Sequence, residues 1–257
     1  MRHYLSALLL ALLFVSGATP AAQVRAAVAS NFTAAIKDIA ARFERETGNH
    51  VELIFGSTGK HYAQIHNGAP FDVFFAADVR RPRLLAEEGV AVPQSRFTYA
   101  VGRIVLWSPR SGYVDGKGEV LRTGTFRHIA IANPRLAPYG TAARQVLQSM
   151  GLWGNLQPRI VRGENIGQTY QFVSSGSVEL GFVALSQVKR PGQSIKGSYW
   201  MAPPKLYTPI EQQAVLLRRA RDNAAAQAFL RFVRGAEARK VIEGFGYAVA
   251  TSDPGGQ

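Results

Sequence analysis

The chain has 257 residues, with 30 Lys and Arg against 17 Asp and Glu, a formal net charge of +13, and no cysteine. That composition excludes disulfide staples and cysteine-ligated metals. The basic residues are dispersed, densest at "LLRRARD" from Leu216, so the charge reads as solubility with some attraction for anions, not as a nucleic-acid surface.

Residues 1–22, "MRHYLSALLLALLFVSGATPAA", place one arginine before an apolar stretch from Leu5 to Val15, then small residues and a proline. This is the layout of a cleaved secretory signal, and the apolar stretch is short for a membrane span. A permanent N-terminal anchor fits it less well. Cleavage is expected near Ala21 or Ala22. With no cysteine there to carry a lipid, the expectation is a freely diffusing periplasmic protein. The remaining chain, about 235 residues, is long enough for two modest lobes.

From Val24 onward short β-rich runs alternate with helical patterns, as in parallel α/β proteins. Expected strands cover 24–30, 50–57, 72–78, 128–134, 159–165 and 180–186; several are apolar nearly throughout, as strands covered on both faces are. Phe32, Ile36, Ile39 and Phe43 share one helical face that Gly48 ends, and Ala142, Val146 and Met150 share another before Gly151. Two long β-like stretches, 97–109 and 211–220, interrupt the rhythm. A chain that leaves one α/β lobe and returns needs two extended crossovers. These stretches therefore predict two lobes joined by a two-stranded hinge, lobe one from 23–102 and 212–257 and lobe two from 103–211.

The stretch "IFGSTGK" at 54–60 imitates a nucleotide phosphate loop, but Ile54 stands where that loop needs glycine and His61 follows the lysine where a hydroxyl is needed. What survives is a strand end feeding a polar turn. The same grammar recurs at Ser30 and Asn31, at Ser57 and Thr58, at Tyr139 and Gly140, and from Asn165 to Gly167. Each such helix start offers unpaired N–H groups and the positive end of a helix dipole. If two lie on each lobe at the carboxyl ends of strands, all four can converge on a small dianion in the cleft. Singly, each is most simply a helix cap.

Together with "ASNF", "FGSTG", "GAPFDVFFAAD", "ANPRLAPYG", "NIGQ" and "LGFVALSQ", these residues resemble the periplasmic molybdate-binding proteins of ABC-type molybdate importers, from about Gln23 to the final helix. The Gly-Ala-Pro-x-Asp turn before an apolar strand is the most specific element. The resemblance implies an α/β, two-lobed type II periplasmic binding protein fold, each lobe a mostly parallel mixed sheet flanked by helices. It also implies capture of molybdate, and of tungstate, for a membrane permease with its ATPase. No catalysis and no cofactor are implied, molybdenum entering only as the oxyanion, and the protein is expected to be a monomer. Carried over residue by residue, the oxyanion ligands are Ser30, Asn31, Ser57 and Thr58 from lobe one and Tyr139 and Ile166 from lobe two, the last two chiefly through backbone N–H. Many relatives add a tyrosine hydroxyl where this chain has Ala184; Tyr139 is the expected substitute, with Asn31 expected to donate more than a serine would.

Other readings have less footing. Asp72 and Asp78 bracket a strand, but six residues of strand separate them by roughly 20 Å, far beyond a carboxylate pair. His61 and His66 are five apart, wrong for a helical metal pair, and no Gly-x-Ser-x-Gly elbow exists. Lys60 is expected on a solvated helix surface. Sulfate, phosphate or a ferric complex remain as alternative ligands, and an exported phosphoesterase as the alternative class.

Overall fold

The computed structural model describes residues 22–249, so the expected secretory signal lies outside the described residues apart from Ala22. In chain order, β1 (Gln23–Ala29), α1 (Thr33–Thr47), β2 (His50–Gly56), α2 (Thr58–His66), β3 (Val73–Phe75), α3 (Arg80–Glu87) and β4 (Phe97–Gly102) build the first sheet and its helices. There follow β5 (Ile104–Ser108), α4 (Val120–Thr123), β6 (Ile129–Ala132), α5 (Pro138–Ser149), α6 (Trp153–Leu156), β7 (Ile160–Gly163), α7 (Ile166–Ser174), β8 (Leu180–Ala184), α8 (Leu185–Val188) and β9 (Ser198–Met201). The chain then returns through β10 (Ile210–Leu216) and ends in α9 (Ala224–Arg234) and α10 (Ala236–Gly244).

The first sheet has the order β2-β1-β3-β10-β4 and the second β7-β6-β8-β5-β9. In each, four strands run in one direction and a single crossover strand, β10 in the first sheet and β5 in the second, runs antiparallel to both of its neighbours. Both faces of each sheet are buried, and the strands sort their side chains accordingly. Val24, Ala26 and Val28 enter the core under α1, α9 and α10, while Ala27 joins Phe74 and Leu85 on the opposite face. Ile104 and Leu106 pack beneath α5, and Val105 and Trp107 face α7. That double burial explains the apolar runs in the sequence.

The helix on Phe32, Ile36, Ile39 and Phe43 forms as expected: all four are buried, and Gly48 closes it in the left-handed conformation (φ 70°), its N–H returning to Glu44 O at 2.9 Å. The stretch 97–109 is two strands in different sheets, parted at Arg103. Its partner 211–220 is strand only to Leu216 and then a 3-10 turn over Arg218–Ala220, which carries Arg218 and Arg219 into solvent. β9 was not legible because four residues on a sheet edge carry little pattern. Asp72 and Asp78 hold turns: Asp72 Oδ2 accepts from Arg25 N at 2.8 Å, and Asp78 Oδ1 from Arg81 N at 2.9 Å.

Candidate functional site

The ends of β1, β2 and β7, and the loop after β6, deliver four helical or 3-10 starts to the space between the sheets. Ser30 and Asn31 sit in a 3-10 turn after β1. Ser57 caps α2 by accepting from Lys60 N at 3.3 Å, and Asn165 caps α7 by accepting from Gln168 N at 3.0 Å. α5 begins with Pro138, which has no N–H to leave unpaired and whose own φ is fixed at a helical value ahead of Tyr139.

These starts surround a small cavity lined by all six predicted ligands: Ser30, Asn31, Ser57, Thr58, Tyr139 and Ile166. The rest of the lining is Ala29, Gly56, Ala77, Ala137 and Pro138, so no charged side chain reaches it. The backbone N–H groups of Asn31, Thr58, Tyr139 and Ile166 have no partner among the described residues. Two hydroxyls add to them. Ser57 and Thr58 each accept a bond, from Lys60 N and Ala77 N, and neither donates its own proton to another described residue. Six donors therefore converge where the positive ends of α2, α5 and α7 meet. Such a site suits a compact anion.

Not every predicted side chain serves in the manner expected. Ser30 Oγ donates to Asn165 Oδ1 at 3.0 Å and accepts from Gly167 N at 3.2 Å, so its hydroxyl fastens the lobes together. The Tyr139 hydroxyl is directed at Gln212, accepting from Nε2 at 3.1 Å, and so does not stand in for the missing tyrosine. Ala184, buried at the end of β8, does not line the cavity.

Further contacts hold the lobes against each other: Gly59 N to Leu136 O at 2.8 Å, Ser186 Oγ to Asn31 O at 2.9 Å, and the Lys60 to Glu164 ion pair at 2.9 Å. Lys60 is thus a half-exposed inter-lobe pair outside the cavity, of a type contributing at most about 1 kcal/mol.

Sequence reasoning missed the polar layer beneath the cavity. Gln212, fully buried, accepts from Asn31 Nδ2 at 2.8 Å and Tyr99 OH at 3.0 Å, and Tyr247 OH donates to Asn31 O at 2.8 Å. The available signal was the Gln212–Gln213 pair, two amides in a strand that is otherwise apolar from Ala214 onward. A bulge at that pair breaks the register with β4 and aims Gln212 inward. Burial pushes the hydroxyls of Tyr99, Tyr139 and Tyr247 above the ordinary phenol value, so all three stay neutral.

Behind α2, His61 is buried with Nε2 3.2 Å from Val28 O, and burial lowers its pKa. Between the lowered folded value and the ordinary value near 6.5, the unfolded chain binds the extra proton, so stability is full above about pH 6.5 and falls as pH drops below it. Thermal midpoints should decline as pH falls below about 6.5, and His61→Phe should flatten that decline.

Two α/β lobes, each a mixed sheet between helices, with a small cavity of uncharged lining between them, define a two-lobed binding protein of the type II fold. The pattern of the family described as bacterial extracellular solute-binding protein matches residues 24–248, and the chain belongs to that family. Its members are solute-binding proteins, not enzymes. The chain is 52% identical over 232 residues to the molybdate-binding protein ModA of Azotobacter vinelandii, covering 90% of this chain and 92% of that protein. It is 49% identical over 241 residues to ModA of Rhodobacter capsulatus, covering 92% and 94%. Among solved structures, the periplasmic molybdate-binding protein of Azotobacter vinelandii superposes with a TM-score of 0.87 at 43% identity, covering 89% of this chain and all of that one.

Proposed function

We propose that this protein captures molybdate, and tungstate with it, through Ser30, Asn31, Ser57, Thr58, Tyr139 and Ile166, for delivery to an ABC importer's permease and ATPase. The observation carrying this reading is the uncharged cavity lined by all six residues, with four free amides and two free hydroxyl protons. Fixed dipoles need little rearrangement to meet an oxyanion, whereas a buried lysine or arginine would carry a desolvation penalty of several kcal/mol. Hydrogen bonds to a charged acceptor contribute roughly 1.5 to 3 kcal/mol each, so six support tight capture after ordering costs. Cavity size would separate molybdate and tungstate from the smaller sulfate. The 49–52% identity to two molybdate-binding proteins along nearly the whole chain favours the same ligand.

In this reading the protein works as a periplasmic monomer after removal of residues 1–22. Residues 23–102 with 212–257 close against 103–211, and the permease recognises the joint surface of the closed form. Molybdate at a thousand times its dissociation constant should add about 4 kcal/mol of stability, raising the thermal midpoint by roughly 10 °C. Sulfate and phosphate at equal concentration should raise it less. The absence of any shift with millimolar molybdate would overturn the reading.

A further inference from the structure

Asn31 lines the cavity, yet its side-chain amide is oriented by a residue that does not. Its Nδ2 donates to Gln212 Oε1 at 2.8 Å and to Tyr247 OH at 3.0 Å, which leaves Asn31 Oδ1 buried with no partner among the described residues. Gln212 Nε2 donates to the Tyr139 hydroxyl at 3.1 Å, and the Tyr139 proton has no acceptor among those residues. Tyr99 has two acceptors within reach of its single proton, Gln212 Oε1 at 3.0 Å and Ala76 O at 3.2 Å. In this arrangement the amide of a cavity-lining residue has its acceptor end unclaimed. An acceptor would repel a fully deprotonated oxyanion and would welcome one that still carries a proton.

A half-turn of both amides about their final bonds keeps every heavy atom in place and changes the accounting. Gln212 Nε2 then donates to Asn31 Oδ1 and to Tyr99, and Tyr99 passes its proton to Ala76 O. Gln212 Oε1 accepts from Tyr139. Tyr247 turns its proton from Asn31 O, which keeps the Ser186 hydroxyl as a donor, to Asn31 Oδ1, so every member of the layer is paired except Asn31 Nδ2, whose two protons replace the unclaimed acceptor. Buried polar groups left unpaired cost about 1–3 kcal/mol, so an anion that takes those protons selects this arrangement.

We infer that Gln212 is a specificity-determining positioning residue: it sets the direction of the Asn31 amide, and thereby makes the site prefer fully deprotonated oxyanions to proton-bearing ones. This rests on the oxyanion-capture reading above. Gln212 is well placed for the role because it bonds predicted ligands of both lobes, Asn31 and Tyr139. The close approach is built in: a Cβ on Gly102 would lie 2.1 Å from the Tyr139 hydroxyl and 2.6 Å from Gln212 Nε2. Methionine at 212 would fill the same space without dictating a direction.

The test compares molybdate, sulfate and hydrogenphosphate binding to the wild-type chain and to Gln212→Met by calorimetry, using displacement of molybdate for the weaker anions. Sulfate and hydrogenphosphate are close in size and differ in the proton. Gln212→Met should weaken molybdate and sulfate about tenfold while leaving hydrogenphosphate unchanged or tighter, a change of about 1.4 kcal/mol in the preference. An equal loss for all three anions, or no loss, overturns the inference. Should Gln212→Met fail to fold, nuclear Overhauser contacts in the wild-type protein decide. On saturation with molybdate, the Gln212 amide protons should lie against the Tyr99 ring; if they remain against Tyr139, the inference fails. A wild-type chain that binds no molybdate instead defeats the capture reading itself.

Discussion

Asn31→Asp should abolish oxyanion capture while leaving a folded protein. The aspartate has nearly the size of the asparagine and keeps acceptors for Tyr247 OH and, after a half-turn of the Gln212 amide, for Gln212 Nε2. Its charge, however, would sit beside a dianion in a cavity with no cation to offset it. Two unit charges about 4 Å apart at an effective dielectric of about 20 interact by about 4 kcal/mol, which is roughly a thousandfold in affinity before the second ligand charge is counted. Titration calorimetry checks this: molybdate affinity should fall by about a thousandfold or more. The thermal midpoint without anion should stay within a few degrees of the wild-type value. Affinity within tenfold of wild type would mean that the ligand lies elsewhere.

Gly140→Ala should damage both stability and binding. A Cβ there would lie 2.2 Å from Ala132 O and 2.7 Å from Ala132 C, main-chain atoms at the end of β6 that cannot swing aside. The first turn of α5 must move outward instead, and it carries the free amide of Tyr139. Overpacking of this kind costs about 1–3 kcal/mol, equivalent to a drop of roughly 2–12 °C for a chain of this size. Molybdate affinity should fall about tenfold or more because one fixed donor is displaced. A melting curve and a titration on the same preparation separate the two effects.

The layered α/β plan was legible because both sheets are covered on both faces, which gives continuous apolar runs such as Ile129–Ala132 between turn signals. The helix starts were legible because Ser57 and Asn165 are ordinary capping residues in ordinary positions. Their convergence was not, since helix capping alone predicts the same residues; the shared cavity is a property of how the sheets face each other. Two further features lay beyond local pattern. Gln212 became a buried hub only through a bulge that a β-like stretch does not announce. Ser30 became a clasp only because the start of α7 approaches it from the other lobe, close enough that a Cβ on Gly167 would lie 3.2 Å from Ser30 Cβ.

Crystals grown with tungstate offer the most direct measurement, because the anomalous scattering of tungsten locates the anion without reference to the protein's phases. A single strong peak surrounded by the amides of Asn31, Thr58, Tyr139 and Ile166, with no lysine or arginine side chain touching the oxygens, is the expected result. A peak outside that cage, or an anion held there by a cationic side chain, would contradict capture by neutral dipoles.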